Sequence, residues 1–201
     1  MRYSVKLLKN LTVALKELEP YIRDGRSLQV HREFKSFKQR PRELLANWLI
    51  CAVVCDARGE EALAIAEDPF GGDGLIFDRK TDETMFAEHV YIPPRAASDI
   101  SALIVEAVEH KAKKGDEYAK GQTLVILSDA TGRWFPNRVS REIMGRHKFN
   151  GVWLVALDAP ALARGQYAYN VAELDVSVGD APVCCVMIAE DFCSWKVDRV
   201  Q

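Results

Sequence analysis

Two acids stand where neighbouring strands could turn them into one site. Asp73 follows Gly71-Gly72 and opens the apolar run Asp73-Gly74-Leu75-Ile76-Phe77, and Glu88 lies inside the next run, Met85 to Ile92. If the two runs pair as antiparallel strands, the Asp73 carboxylate at the mouth of one comes close to that of Glu88 in the other. Two hard oxygen donors, completed by water or a phosphate, suit Mg2+ or Mn2+. The plainer reading gives each acid an ordinary job: a strand-initial Asp after Gly-Gly is a common turn residue, and Glu88 can be a solvent-facing strand residue.

The elements that must position these acids are short and well punctuated. From Glu61 to Pro94, the runs Ala62 to Ala66, Asp73 to Phe77 and Met85 to Ile92 are separated by a Pro-Phe-Gly-Gly turn and a polar turn, the pattern of a three-stranded meander. Before it, Pro41 opens a helix whose run Leu44 to Cys55 is apolar nearly all round, so it is expected to be buried on most sides. Further upstream, Leu7, Leu8, Leu11, Leu15 and Leu18 form one helical stripe that ends at or soon after Pro20.

After Pro93-Pro94, a long helix is expected from Ser98 or Asp99 to the lysine-rich turn at Lys111, Lys113 and Lys114. Thr123 to Leu127 and Phe149 to Leu157 read as central strands, because unbroken apolar runs imply cover on both faces. A short helix, Arg138 to Arg146, lies between them, and weaker strands are expected near Val171 to Val176 and Val183 to Ile188. The order helix, three strands, helix, strand, helix, strand predicts an α/β fold, a three-layer sandwich with a mixed β-sheet flanked by helices. Residues 1–40 read as an N-terminal helix and basic connecting segment, and residues 41–201 as the α/β domain.

Composition narrows the function classes. With 201 residues, 48% hydrophobic and 28% charged, the chain has the make-up of an ordinary globular protein with a sizeable core. No apolar run reaches the length of a membrane span and no charged-then-apolar leader opens the chain, so no membrane partner and a cytoplasmic location are expected. A net charge of −2 carries no global basic field. Contact with DNA or RNA would have to be local, and Arg23 to Arg42 is the only strongly basic stretch, with Phe34 and Phe37 interleaved. Its alternative reading is a solvated face whose aromatics pack inward. The five cysteines include no CxxC pair, and Cys51 and Cys55 lack further ligands nearby in sequence, so buried free thiols are expected rather than a metal site.

Taken together, Asp-Gly opening a strand (Asp73-Gly74-Leu75-Ile76), Glu inside the next (Ala87-Glu88-His89-Val90), a long helix and then a buried strand (Leu124 to Leu127) resemble the PD-(D/E)XK nuclease-like superfamily. The similarity covers about residues 41–157 and implies a restriction-endonuclease-like core. It implies that Asp73 and Glu88 are catalytic, metal-binding acids, that Glu43 is similar to the additional metal-binding acid on the preceding helix, and that Mg2+ or Mn2+ is the cofactor. The implied activity is metal-dependent hydrolysis of DNA or RNA.

One departure bears on that activity. The resemblance places a catalytic Lys two residues after Glu88, where this chain has Val90. An apolar side chain neither orients a water nor stabilises charge on a phosphate. Metal binding with little or no cleavage is therefore expected, and a non-catalytic domain that binds nucleic acid or protein is the alternative on the same fold. Lys80 and the cluster Lys111, Lys113 and Lys114 are the nearest substitutes in sequence, although each also reads as a solvated charge. His89 points away from Glu88, and His31, His110 and His147 share no ligand spacing. No GxSxG elbow, Walker loop or dinucleotide fingerprint is present; the loop Ser128 to Arg133, after a buried strand, is a generic place for a phosphate.

Overall fold

The computed structural model describes residues 8–29, 39–66, 73–158, 165–174 and 180–201. Residues 30–38 of the basic segment, with His31, Phe34 and Phe37, and the turn at Pro69 to Gly72 lie outside the described residues. In chain order the elements are β1 (Leu8–Lys9), α1 (Leu11–Arg23), α2 (Gly25–Gln29), α3 (Pro41–Arg58), β2 (Leu63–Ala66), β3 (Leu75–Asp78), β4 (Glu83–Ile92) and β5 (Ala96–Asp99). They continue as α4 (Ser101–Ala112), α5 (Asp116–Ala119), β6 (Gln122–Ser128), β7 (Thr131–Arg133), α6 (Pro136–Ile143), β8 (Gly151–Leu157), β9 (Tyr167–Glu173), β10 (Val183–Ile188) and β11 (Trp195–Arg199).

The helix α3 is the hub. Pro41 presets its first turn, Glu43 reaches back to accept the Arg40 backbone N–H at 3.0 Å, and left-handed Gly59 closes it. Trp48 is fully buried, donates its indole N–H to the Leu11 carbonyl at 2.8 Å, and meets Trp195 edge to face at 5.1 Å. Through these contacts α3 draws α1 and the last strand into one core. Asn10 caps α1 by accepting the Val13 N–H, and Leu11, Leu15, Leu18 and Ile22 make its buried stripe. The helix runs past Pro20 to Arg23, because proline removes a single intrahelical donor and the end is only one turn away.

Among the described residues, nine strands form one mixed sheet in the order β1-β2-β3-β4-β6-β8-β9-β10-β11. The meander β2-β3-β4 is antiparallel, β4, β6 and β8 are parallel neighbours, and β8 through β11 return to antiparallel pairing. Parallel neighbours need crossovers, and α4 and α6 supply them. Alternation then sorts the side chains. Ala87, Val125 and Val155 pack with α1 and α3 on one face, while Leu124, Ile126, Val152 and Leu154 pack with α4 and α6 on the other. The expected α/β architecture with a mixed sheet covered by helices is thus present. A second, two-stranded sheet of β5 and β7 links the chain after β4 to the chain after β6. None of the described helices is long and apolar enough to cross a membrane.

Candidate functional site around Asp73 and Glu88

Asp73 sits one residue before Gly74, at the open end of β3. The Gly74 carbonyl accepts the Ala87 N–H at 3.0 Å, and the next inward-facing amide of β4, His89 N–H, is taken by Asp73 Oδ2 at 2.8 Å. The side chain therefore continues the β3–β4 ladder where the β3 backbone leaves it. This fixes the Asp73 carboxylate against the backbone of Glu88 and His89, with 35% of the side chain still exposed. Gly74 is required beside it: at φ +122° an added Cβ would lie 1.8 Å from Gln39 Nε2 and 2.9 Å from Asn47 Nδ2. The close approach of Gln39 and Asn47 makes the Asp-Gly pair a packing solution.

Glu88 leaves β4 on the α4 face. Its carboxylate is paired with the Lys111 ammonium, and Lys114 Nζ lies 3.8 Å from the same oxygen. Glu88 and Lys111 are almost equally enclosed, with side chains 13% and 12% exposed. Tyr118 completes the group: its hydroxyl accepts from Lys114 at 3.0 Å, and its phenol is pushed up by burial, then by a hydrogen bond to Glu88 and by the charges of Glu88 and Asp73. One phenol thus feels both acids. Lys80 does not take part; it is 67% exposed and pairs with Glu60 at 2.9 Å. Val90, on the same side of β4 as Glu88, packs against the α4 cluster.

Glu43, on α3, feels the charge of Asp73. Burial holds its carboxyl above the ordinary range, the Arg40 N–H opposes, and the charge of Asp73 raises it further. Glu43 therefore feels the charge of Asp73, and the Tyr118 phenol feels the charges of both Asp73 and Glu88. Among the described residues, no group of three or more His, Cys, Asp or Glu side chains is gathered closely enough to hold a metal ion. The donor chemistry still suits a small hard cation, because Mg2+ takes one or two carboxylates and keeps water and substrate oxygens for the rest of its shell. Asp73 Oδ1 accepts no hydrogen bond from a described residue.

His89 points away from Glu88, as alternation requires, yet it is part of the surroundings. Its buried ring places Nδ1 3.8 Å from Asp73 Oδ2. Burial pushes it down to about 3, Lys111 and Arg42 add to that, and Glu88 opposes, so the imidazole is neutral at ordinary pH. Both ring nitrogens, both side-chain heteroatoms of Asn47 and Oε1 of Gln39 are buried without a partner among the described residues. Native interiors rarely leave such atoms unpaired, and here they surround Asp73 and Gly74. Of the other histidines, His147 is buried beside Phe149 and His110 is on α4; neither contributes to this group. Cys51 and Cys55 are buried free thiols, and burial pushes both up.

The residue that sequence reasoning undervalued is Lys111. A parallel crossover must return the chain to the starting end of the next strand, and β6 begins with Gln122 opposite Phe86, two residues before Glu88. The lysine-rich last turn of α4 is therefore bound to arrive beside Glu88. That register was the available signal. Compared with known protein-family models, curated proteins and solved structures, the chain matches none.

Proposed function

We propose that the chain is a nuclease-like protein of the PD-(D/E)XK type, in which the phosphate-facing cation comes from α4 rather than from β4. The observation that carries this reading is the pairing of Lys111 with Glu88, both nearly enclosed, on the sheet face where Val90 stands in place of Lys. The order α3-β2-β3-β4-α4-β6, with β4 and β6 parallel, supports a restriction-endonuclease-like core. Asp73 and Glu88 would hold Mg2+ or Mn2+, which when bound polarises a phosphoryl oxygen. Lys111 places a positive charge where negative charge grows on the phosphate, and Glu88 holds that ammonium in position. Hydrolysis joins a water oxygen to phosphorus, breaks the P–O ester bond and returns a proton to the leaving oxygen.

A second reading keeps the fold without the reaction. Two ammonium groups and a phenol already engage Glu88, which favours a neutralised, structural carboxylate in a domain that binds nucleic acid or protein. Incubation of wild type, Asp73→Asn and Glu88→Gln with labelled single- and double-stranded DNA and RNA, with Mg2+, Mn2+ or EDTA, separates the two. Metal-dependent cleavage lost in both variants supports the nuclease. Absence of cleavage on every substrate, with retained binding, supports the second reading.

A further inference from the structure

A cavity of about 530 Å3 opens between α1, α2 and α3 on one side and the sheet on the other, within the size range of small-molecule sites. Tyr91, Leu127 and Val155 line it, and they stand near the carboxyl ends of the three parallel strands, where open α/β sheets take ligands. Leu45 and Tyr169 complete an apolar and aromatic wall. The loop after β6 adds Ser128, Asp129 and Thr131.

Arg23, Asp24, Arg26, Arg42 and Asp129 are the charged residues lining the cavity, and of these only Arg42 is buried. Its residue is only 7% exposed, and its guanidinium lies 4.2 Å from the centre of the Tyr91 ring. It forms no hydrogen bond or ion pair with any described residue. Glu43, next in the chain, feels its charge but is bound to the Arg40 N–H and guanidinium instead. Asp129 accepts the Tyr91 hydroxyl at 2.5 Å. Arg23, at the rim, is already held by Glu19 and the Glu190 carbonyl. A guanidinium that lines a cavity and has no acceptor among the described residues is free to take one from a ligand, and its fork geometry fits a phosphate or carboxylate. Burial holds the Tyr91 and Tyr169 phenols protonated, so both rings are neutral stacking surfaces.

We propose that this cavity binds a small planar aromatic anion, its ring against Tyr91 and Tyr169 and its phosphate or carboxylate on Arg42, as a nucleoside monophosphate would present itself. The ligand could arrive as a free mononucleotide or as the phosphorylated end of a strand. The site does not depend on the acid pair, because Tyr91 faces α3 while Glu88 and Lys111 meet on the α4 face.

The test is titration calorimetry and thermal shift on the full chain in EDTA. The probes are the nucleoside 5′-monophosphates, indole and benzene carboxylates, and the matching uncharged nucleosides. At least one anion is expected to bind one to one, with its uncharged counterpart and the Arg42→Gln variant each weaker by about tenfold or more, the scale of a charge-assisted contact. Leu157→Trp fills the cavity from a half-buried position, so it keeps the fold and is expected to abolish binding; it decides the matter if Arg42→Gln does not fold. A 5′-phosphorylated oligonucleotide that displaces the bound anion identifies a strand end as the source, and failure to displace it identifies the free compound. No binding by any anion, equal binding by uncharged counterparts, or full binding by Leu157→Trp would overturn the proposal.

Discussion

Asp73 Oδ2 accepts the backbone N–H of His89 at 2.8 Å, so one carboxylate extends a β-ladder and is fixed against the backbone of the strand that carries Glu88. The two roles can be separated by substitution. Asp73→Asn keeps a side-chain acceptor for the amide but removes the charge, whereas Asp73→Ala leaves the amide without its partner. Asn is expected to cost little stability and Ala about 1–3 kcal/mol, read from urea denaturation. Mg2+ or Mn2+ is expected to raise the wild-type melting temperature by mass action, and Asp73→Asn and Glu88→Gln to erase that shift. Metal-independent melting of all three proteins would remove the cation site.

Gly74→Ala tests whether the packing around the acids is as tight as it looks. The new methyl would meet Gln39 and Asn47 at a positive φ that L-residues rarely adopt. A loss of about 1–3 kcal/mol is expected, and a metal response that shrinks with it, because Asp73 is the adjacent residue. A variant as stable as wild type would mean that Gln39 and Asn47 give way freely.

The pH dependence of stability has a sign set by His89. The folded ring is held down at about 3, against an ordinary value of 6.5. As pH falls through that window the unfolded chain takes up a proton that the folded chain refuses, so stability present above 6.5 is lost progressively toward 3. Glu43 works oppositely: its raised carboxyl favours the folded state in acid, and that contribution is lost as pH rises through its folded value. His89→Leu is therefore expected to lose less stability than wild type between about pH 7 and about pH 4. Parallel stability curves for the two proteins would show that the imidazole does not titrate differently on folding.

Trp48→Ala is expected to cost about 3–5 kcal/mol, as large aromatic truncations in packed cores do. It removes the indole N–H bond to Leu11 and the edge contact with Trp195 together, so the N-terminal helix and the last strand should both loosen. Hydrogen exchange at Leu11–Arg23 and Trp195–Arg199 is the check, and a change within about ±0.5 kcal/mol would place Trp48 outside the load of the core.

The parts of this fold that could be read in advance are those where one residue pattern has one physical meaning. Apolar runs at Leu44 to Cys55, broken only by Asn47, and at Leu124 to Leu127 had to be covered on both sides, as did Val152 to Val155 within Phe149 to Leu157, and α3, β6 and β8 are. The strand Trp195–Arg199 was not read, because its alternating, half-exposed edge pattern is carried by only five residues. At the site, the opposite faces of Glu88 and His89 were legible because strand alternation alone sets them. Lys111 was legible only as one of a cluster of substitute cations, and Tyr118 not at all, since a lysine in a last helical turn usually meets solvent, and only the β4–β6 register brings this one to a carboxylate. Arg42 was read as one charge of a basic segment, whereas the structure buries it against Tyr91.

On the proposed nuclease reading, α4 and β4 are alternative sources of one cation, and the exchange can be run both ways. If its ammonium is the phosphate-facing cation, Lys111→Ala should lower metal-dependent cleavage by about 10²–10³-fold, the scale of removing one preorganised charge donor. The same variant frees Glu88 of its main partner, while Lys114 remains 3.8 Å away to limit the loss of stability. Adding Val90→Lys to Lys111→Ala supplies a cation from β4 on the Glu88 face and should recover part of the rate. Val90→Lys alone should not help, because it crowds a second ammonium against the α4 cluster where Lys111 already sits. Cleavage rates of the three variants at matched folded fraction make the comparison. Full activity in Lys111→Ala would detach this lysine from the chemistry and leave its pairing with Glu88 as a packing contact between α4 and β4.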